Sequence, residues 1–377
     1  MGRRKEVPIA PDVLRWAVGE SGVSIAEVLK AADADEAEFE AWLERRAKPT
    51  ITQVKRLASK LHRQVAVFLL PSVPTETRLQ IEFRHPIGQR ARPLNAVERR
   101  YLRRARRLQE THAWLIHELE RDPAQLPARS LSTEPEQAAQ SVRLQLGIGE
   151  SDQFGWKNAS VAFDVWRRAV EALGVTVVLF PMSTGACRGF SLWEDVSPLI
   201  AVNTAWRDEA RIYTLFHELG HLVTRTNSAC SESPATPDSR DPVERWCEEF
   251  AAAVMMPRES LRVADQVTNV STLSKLAQRH RVSLRAMAIR LIGLGKASWS
   301  LYKEIPPASD AKSRGGGGGT GRNRREIRQD EIGGRGTEIF VAAVQRDIIS
   351  ESQALDYLDI PAVEFERLRA EAGMVSA

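Results

Sequence analysis

Residues 211–223 read RIYTLFHELGHLV, and this stretch decides how the central part of the chain folds. Its apolar residues recur at helical spacing, which predicts a buried helix. His217 and His221 lie four residues apart, slightly more than one helical turn, so their imidazoles project side by side. Glu218 follows the first histidine and is rotated away from the row of two. The stretch therefore predicts a helix that presents two histidines and a separate carboxylate.

This HExxH pattern points to a bound metal ion. Two imidazoles one turn apart can bind a single tetrahedral cation, and Zn²⁺ suits both the geometry and the ligands. Glu218, which does not face the ion, is placed to take a proton from water as a general base. The alternative is a pair of core histidines bonded to backbone carbonyls. A helix interior offers few free carbonyls, and two histidines beside a glutamate are costly to bury without a metal, so the metal site is favoured.

A catalytic zinc site also needs a third protein ligand, and residues 241–257 supply candidates. They predict a helix that begins at Asp241 and ends near Pro257. Glu244 and Glu248 lie four residues apart on one face of this helix, so either can reach the ion. Each also has an alternative role. Glu244 can close a capping box with Asp241, and Glu248 can accept a hydrogen bond from the second nitrogen of a ligating histidine.

Tyr213 and two of the cysteines lie close to these residues in the sequence. Tyr213 precedes His217 by one turn and can donate a hydrogen bond to an oxyanion, although a core tyrosine is the simpler interpretation. Cys247 can be a thiolate ligand or a redox switch, but a small buried residue of a packed helix is favoured. Cys230 lies in the Ser/Thr/Pro-rich loop 224–240 and receives no role.

The segments before the HExxH helix predict a small sheet. A helix within 158–173 precedes a strand at 175–180, and two more strands are expected near 189–193 and 199–203. Packed against the HExxH helix, these elements predict an α+β core. Because helical periodicity dominates the rest of the chain, the predicted fold class is α+β, mostly helical.

The chain is too long for one compact domain, and shifts in its composition predict five segments. A basic helix near 95–120 carries six arginines between positions 99 and 107, and a solvated face is favoured over nucleic-acid contact for it. The predicted segments are a helical domain at 1–75; a connector at 76–150 with a short strand near 79–83 and the basic helix; the metal-binding domain with a helical tail at 151–305; a flexible Gly/Arg-rich linker at 306–336; and two C-terminal helices, about 337–347 and 350–371, within 337–377.

Residues 23–71, VSIAEVLKAADADEAEFEAWLERRAKPTITQVKRLASKLHRQVAVFLLP, resemble the helix-turn-helix domain of Xre/Cro-type repressors. The resemblance implies that Ser24 caps the second helix and that Thr50 stands at the start of a later one. The segment 33–44, which would enter the major groove, is rich in Asp and Glu, and phosphates repel such a face. Protein docking is therefore favoured over DNA binding for this domain, although DNA stays a candidate partner.

The HExxH stretch, followed after a loop by VERWCEEFAAAVMMP at 243–257, resembles the ImmA/IrrE metallopeptidases over roughly residues 78–300. In that family the first glutamate of the second motif is the third zinc ligand, which implies that Glu244 completes the set of His217 and His221. Glu248 stands where the family usually has Asn. The resemblance implies zinc-dependent peptide hydrolysis with Glu218 as general base.

Members of that family cut transcriptional repressors, and many are fused to a helix-turn-helix domain. The resemblance implies that the partner is a protein substrate, a repressor of helix-turn-helix fold that the N-terminal domain recruits. A substrate strand is expected along the sheet edge near Phe190–Trp193. Two alternatives stay open: a DNA-binding regulator whose metallopeptidase-like part senses zinc or a ligand without cleaving, and a toxin-like protease of a toxin–antitoxin pair.

Composition excludes several other classes of protein. Lys and Arg number 53 against 49 Asp and Glu, and a net charge of +4 is too small for a nucleic-acid wrapper or a membrane-surface binder. The 3 cysteines show no paired spacing, which argues against a disulfide framework and indicates a reducing compartment. No signal peptide and no run of eighteen apolar residues are present, so a cytoplasmic protein without a membrane partner is expected.

Overall fold

Seventeen α-helices and one four-stranded sheet account for the regular structure of the described residues. The fold is α+β and mostly helical, which confirms the predicted class. The chain forms two compact units. The first contains residues 6–74 and 94–104, and the second contains the described residues from 105 onward. The computed structural model describes residues 6–74, 94–226, 228–230, 241–262, 266–306 and 324–375.

Short capped helices build the first unit around a core that includes Trp42 and Phe68. The Ser24 hydroxyl accepts a hydrogen bond from a backbone N–H of α2, and Thr50 forms a capping box with Gln53 at α4. Both caps were predicted. The helices are α1, Pro11–Ser21; α2, Ile25–Ala32; α3, Glu36–Leu43; and α4, Ile51–Lys60, with a 3₁₀ helix at Val65–Leu69.

Acidic side chains cover the outer face of α3. Five of them are exposed and Glu38 is half-buried. Phosphate repulsion therefore acts against placing this face on DNA, as the sequence suggested. The helix-turn-helix assignment of the unit stays a prediction. The exposed acids are Asp33, Asp35, Glu36, Glu40 and Glu44.

Helix α5, Ala96–Glu118, is the predicted basic helix. It starts with a reciprocal pair of hydrogen bonds between Asn95 and Glu98, each side chain accepting from the other residue's backbone N–H. Arg106 pairs with Glu110 at 3.2 Å, Arg107 is exposed, and the other four arginines between positions 99 and 107 are half-buried, as is Arg106. The solvated face stays a prediction. The strand predicted near 79–83 lies outside the described residues.

The sheet lies in the second unit and has the order β1-β3-β2-β4. Strand β1 is Thr176–Phe180, β2 is Gly189–Leu192, β3 is Leu199–Asn203 and β4 is Ser228–Cys230. Strands β1 and β3 are parallel, whereas β2 runs antiparallel to β3 and to β4. The three predicted strands are confirmed.

The predicted substrate edge at Phe190–Trp193 is wrong. Strand β4 occupies that edge, with Phe190 opposite Ala229 in the register. The chain thus supplies its own edge strand there and uses the main-chain hydrogen bonds that a substrate would have needed.

Helices pack on the sheet and enclose a large apolar core in the second unit. Trp166 lies at its centre, edge-on to Phe216 at 4.9 Å and to Trp156 at 5.2 Å between ring centroids. The helices are α6, Pro135–Leu146; α7, Glu150–Gly155; α8, Ala159–Ala172; α9, Asp208–Val223; α10, Pro242–Met255; α11, Val270–His280; α12, Leu284–Gly293; and α13, Trp299–Glu304, with a 3₁₀ helix at Glu259–Leu261.

Four helices follow toward the C-terminus: α14, Arg324–Ile332; α15, Gly334–Gln345; α16, Glu351–Leu358; and α17, Ala362–Val375. The predicted single helix at 350–371 is wrong, because Asp359 adopts a left-handed conformation with φ 55° and Pro361 follows it. The predicted linker 306–336 is helical from 324 onward, and its glycine run lies outside the described residues. In the described part of the chain, no helix combines the length and apolarity needed to cross a membrane.

Candidate metal centre

Three buried side chains from two neighbouring helices converge on one point. His217 and His221 belong to α9, and Glu244 lies in the first turn of α10. The Nε2 atoms of the two histidines are 3.2 Å apart. The Glu244 oxygens lie 3.2 Å from His217 Nε2 and 3.4 Å from His221 Nε2. The structure therefore brings together the three residues proposed as ligands.

These separations fit the donor set of one tetrahedral metal ion. Ligand atoms bound at about 2.0–2.1 Å with tetrahedral angles lie about 3.3 Å from one another. The two Nε2 atoms are 3.2 Å apart, close to that value, and each faces its own Glu244 oxygen, Oε2 at 3.2 Å from His217 and Oε1 at 3.4 Å from His221. Among the described residues, His217, His221 and Glu244 are the one group of three or more His, Cys, Asp or Glu side chains close enough together to hold a metal ion. Glu248 is not part of this group.

The two helices approach closely because small residues lie where they meet. A Cβ atom added to Gly220 of α9 would stand 3.1 Å from the Cβ and Sγ atoms of Cys247 on α10. Glycine thus allows the contact that places Glu244 against the histidines. Asp241 caps α10 by accepting a hydrogen bond from Val243 N at 2.8 Å, while the Glu244 carboxylate faces the imidazoles.

The charges in the group complement one another. Burial by itself lowers the pKa of His217, but hydrogen bonding to Glu244 and the nearby carboxylates raise it above its ordinary value. Burial likewise opposes ionisation of Glu244, yet the two histidines hold the pKa of its carboxyl well below the usual range. Glu244 is therefore an anion, which is the form that binds a cation.

Thr226 determines which nitrogen of His221 faces the group. Its Oγ1 lies 3.0 Å from His221 Nδ1 and donates to the backbone oxygen of His221 at 3.2 Å. The same hydroxyl also lies 3.1 Å from Thr224 Oγ1, and when its proton goes to either oxygen it accepts from Nδ1, which then carries the imidazole proton. The lone pair of Nε2 then points toward Glu244 and His217, as metal binding requires.

Glu218 lies next to the three metal-binding residues, and a residue of the sheet holds its carboxylate. The carboxylate is buried, and its Oε2 accepts a hydrogen bond from the Ser191 hydroxyl of β2 at 2.9 Å. Gly189, two residues earlier in the strand, leaves room for this approach, because an added Cβ would meet Thr214 at 2.5 Å. The strand thus fixes the orientation of the predicted general base.

The remaining predicted residues border the site. The Tyr213 ring stacks on His217, with centroids 6.1 Å apart and planes inclined by 26°. Tyr213 and Glu248 both line an open cleft of about 450 Å³. Burial, together with the surrounding carboxylates, raises the pKa of the Cys247 thiol, as expected of a packed thiol and not a thiolate. The Cys230 side chain lies outside the described part of the chain.

Sequence reasoning missed Ser191 and Thr226. Ser191 is the single polar residue of the four-residue buried strand Gly189–Leu192, which was a signal for a specific hydrogen bond. Thr226 follows the HExxH helix within one turn of its end, and nothing in the sequence distinguishes it from other loop threonines.

Residues 170–292 match the family model of the IrrE N-terminal-like domain, peptidase family M78. The match includes α9 and α10, and it is shorter than the likeness predicted over 78–300. No curated protein matches the chain. The histidine–glutamate group and the family match agree on a metal-dependent peptidase. Residues 170–292 are therefore similar to the IrrE N-terminal-like domain of the ImmA/IrrE family of metallopeptidases, and they include all three members of the histidine–glutamate group.

Proposed function

We propose that this chain is a zinc-dependent endopeptidase of the cytoplasm that cleaves a transcriptional repressor. The observation that carries the proposal is the mutual spacing of His217, His221 and Glu244, which fits tetrahedral zinc. The buried Glu218 beside them supports cleavage over mere sensing, because a general base has no part in a site that only binds a metal.

His217, His221 and Glu244 would hold the ion. A zinc ion at such a site supplies a charge that acidifies water and polarises a scissile carbonyl. Glu218 accepts the proton of the attacking water on its carboxylate and then passes it to the nitrogen of the leaving amine. Ser191 keeps the Glu218 carboxylate from rotating through its hydrogen bond to Oε2.

Tyr213 is our candidate donor to the oxyanion. Its ring stacks on His217 and the residue lines the cleft, so it lies where a bound substrate would pass the histidine. A donor directed at the oxygen of the tetrahedral intermediate stabilises the negative charge that develops there.

The substrate class follows from the resemblance to repressor-cleaving relatives and from the first unit. That unit has its own core and exposes an acidic face on α3, which suits docking to a protein better than to DNA. We propose that it recruits a helix-turn-helix repressor and presents it to the metal centre.

The test compares three variants of the zinc-loaded full-length chain on a helix-turn-helix repressor encoded beside it. Glu218→Gln should keep one zinc per chain and lose cleavage by at least about a hundredfold. His217→Ala should lose the zinc. Glu209→Gln, the same substitution in the first turn of α9, is the matched control and should cleave normally. Retained cleavage by Glu218→Gln would remove Glu218 from its role.

A second candidate function, DNA-binding regulation, has one observation in its favour. The first unit includes the arginine-rich start of α5. Gel-shift titration of the full chain against salt separates the two, because phosphate contacts weaken steeply as salt rises. Tight, salt-sensitive and sequence-selective binding would favour the regulator, whereas its absence would favour protein docking.

A further inference from the structure

We propose that the cleft beside His217 is a subsite for an apolar side chain of the substrate, next to the scissile bond. The inference rests on the proposed function and adds a preference for large apolar residues. The cleft measures about 450 Å³ and is formed entirely within the second unit. That volume falls in the range of ligand pockets, roughly 300–1,000 Å³.

One wall of the cleft is a single face of α10. Arg245 and Glu249 border it, and Glu248, Ala252 and Met256 line it at intervals of four residues, so these three form a row that continues from Glu244 along the helix. The row turns apolar as it leaves the metal group. Ala252 is half-buried at the middle of the row and has the smallest side chain of the three, so a larger side chain at this position would take up space in the cleft.

The opposite wall comes from α12 and the residues after it. Ala286, Ile289, Ile292, Leu294 and Trp299 line the cleft, and Trp299 is 44% exposed. Both walls of the cleft therefore expose apolar surface to water. Covering this surface with an apolar group lowers the free energy of the system.

The cleft adjoins the metal centre, although the three metal-binding residues do not line it. The Tyr213 ring lines it and at the same time stacks on His217. A peptide whose carbonyl lies at the metal therefore has its neighbouring side chain within reach of this cleft. This adjacency through Tyr213 points to a residue of the substrate beside the cleaved bond as the occupant.

An ion pair braces the far end of the cleft. The Arg290 guanidinium donates to both Glu136 oxygens, at 2.9 and 2.6 Å, and its Nε donates to the Met256 carbonyl at 3.0 Å. Glu136 also accepts from the backbone N–H of Arg258 at 2.9 Å. These bonds hold α6, α10 and α12 in fixed register, so the subsite is formed before the substrate arrives.

Hydroxamates test the subsite without knowledge of the natural substrate, because they chelate zinc and carry a chosen side chain. The probes are acetohydroxamate and its analogues with isobutyl and benzyl groups, titrated by calorimetry into the zinc-loaded full-length chain. We expect the isobutyl and benzyl compounds to bind about tenfold more tightly than acetohydroxamate or better. Equal affinity of the three compounds would overturn the subsite.

Two variants change the cleft in opposite directions. Ala252→Phe should fill it and abolish the advantage of the larger probes, while acetohydroxamate binds as before. Ile289→Ala should widen it and favour benzyl over isobutyl. Ala37→Phe on α3, where the alanine is exposed, is the matched control and should leave all affinities unchanged. An unchanged preference in both cleft variants would overturn the proposal.

Failure of the subsite and failure of the proposed function give different results. If no hydroxamate binds the zinc-loaded chain, the metal centre itself is wrong and the subsite fails with it. If acetohydroxamate binds but side chains add nothing, the metal centre stands and the subsite alone is overturned. Binding of acetohydroxamate to Ala252→Phe also shows that this variant is folded at the metal centre.

Discussion

At the scale of single residues, the metal centre depends on side chains that do not touch the ion. Thr226 fixes the tautomer of His221, and Ser191 fixes the carboxylate of Glu218. Each residue uses its side-chain hydroxyl. One hydroxyl orients the His221 imidazole and the other orients the Glu218 carboxylate, and both groups work only when the correct atom faces the metal centre. The two hydroxyls therefore support different functions: the Thr226 hydroxyl supports metal binding and the Ser191 hydroxyl supports proton transfer.

Thr226→Val tests the first of these roles. Valine keeps the shape of threonine but cannot accept from His221 Nδ1, so the imidazole loses the bond that sets its tautomer. We expect zinc affinity to fall by about tenfold or more, measured by competition with a chromophoric chelator. Thr226→Ser, which keeps the hydroxyl, should bind zinc like the wild type. Equal affinities of the valine and serine variants would show that Thr226 does not orient His221.

The histidines and glutamates of the site were predictable because their spacing is local. His217, Glu218 and His221 share one turn of helix, and Glu244 and Glu248 share another. What the sequence left open was which glutamate meets the histidines, since that depends on how two helices pack. Ser191 lies 27 residues from Glu218, and only the pairing of a strand beneath a helix brings the two together.

At the scale of elements, the contact between α9 and α10 creates the site. A methyl group on Gly220 would stand 3.1 Å from Cys247 Cβ and Sγ, so the two helices would have to separate by a few tenths of an ångström. Since both helices are packed in the core, such a movement would carry Glu244 away from the histidines. The glycine of RIYTLFHELGHLV, Gly220, is thus a packing requirement of the metal centre.

Gly220→Ala should therefore lower stability by about 1–3 kcal/mol, the usual cost of overpacking, despite the better helix propensity of alanine. It should also weaken zinc binding. Thermal unfolding and chelator competition measure the two effects. The double variant Gly220→Ala with Cys247→Gly removes the opposing Cβ and should recover the zinc affinity. Gly19→Ala, in a helix interior with open space around the glycine, should leave zinc affinity unchanged.

Zinc affinity of Gly220→Ala equal to the wild type would show that the two helices can separate without disturbing Glu244. No recovery in the double variant would show that the loss arises elsewhere than at Cys247.

Elements with strong local signals were predictable, and elements defined by long-range pairing were not. Helices α8, α9 and α10 and strands β1 to β3 agree with their apolar patterns. Strand β4 has three residues and exists because it pairs with β2, so no pattern within Ser228–Cys230 could reveal it. The break between α16 and α17 has a local cause, because Pro361 cannot continue a helix. The apolar residues on both sides of Pro361 keep helical spacing, so the pattern predicted one helix.

At the scale of the whole second unit, the C-terminal helices are tied to the sheet through buried polar groups. Arg167 of α8 pairs with Glu171 at 3.1 Å and donates to the Val177 carbonyl of β1 at 2.6 Å. The Glu171 carboxylate in turn accepts backbone hydrogen bonds from Gly334 and Arg335. Such a buried network is costly unless every member is bonded, so α15 must stay docked for the sheet to remain stable.

His112 makes this docking sensitive to acid. The imidazole is fully buried, with Nδ1 3.2 Å from Thr176 Oγ1 of β1 and its ring 5.3 Å from the ring of Phe340 in α15. Burial and the charge of Arg335 lower the pKa of His112 to about 3, although a backbone hydrogen bond to the Gly336 carbonyl, which favours the protonated ring, opposes the shift. The ring is therefore neutral in the folded protein at all ordinary pH values.

The sign of the pH dependence follows from that shift. In the unfolded chain His112 takes up a proton below its ordinary value of 6.5, whereas the folded chain does not until about pH 3. Stability from this group is thus complete above pH 6.5 and falls as the pH drops toward 3, by about 2 kcal/mol between pH 7.5 and pH 5. His112→Asn removes the titrating group. The variant should be less stable than the wild type at pH 7.5 because packing is lost, but its stability should fall less than that of the wild type on acidification. Urea unfolding followed by circular dichroism at both pH values measures the difference, and an equal loss in the two proteins would show that His112 is protonated when folded.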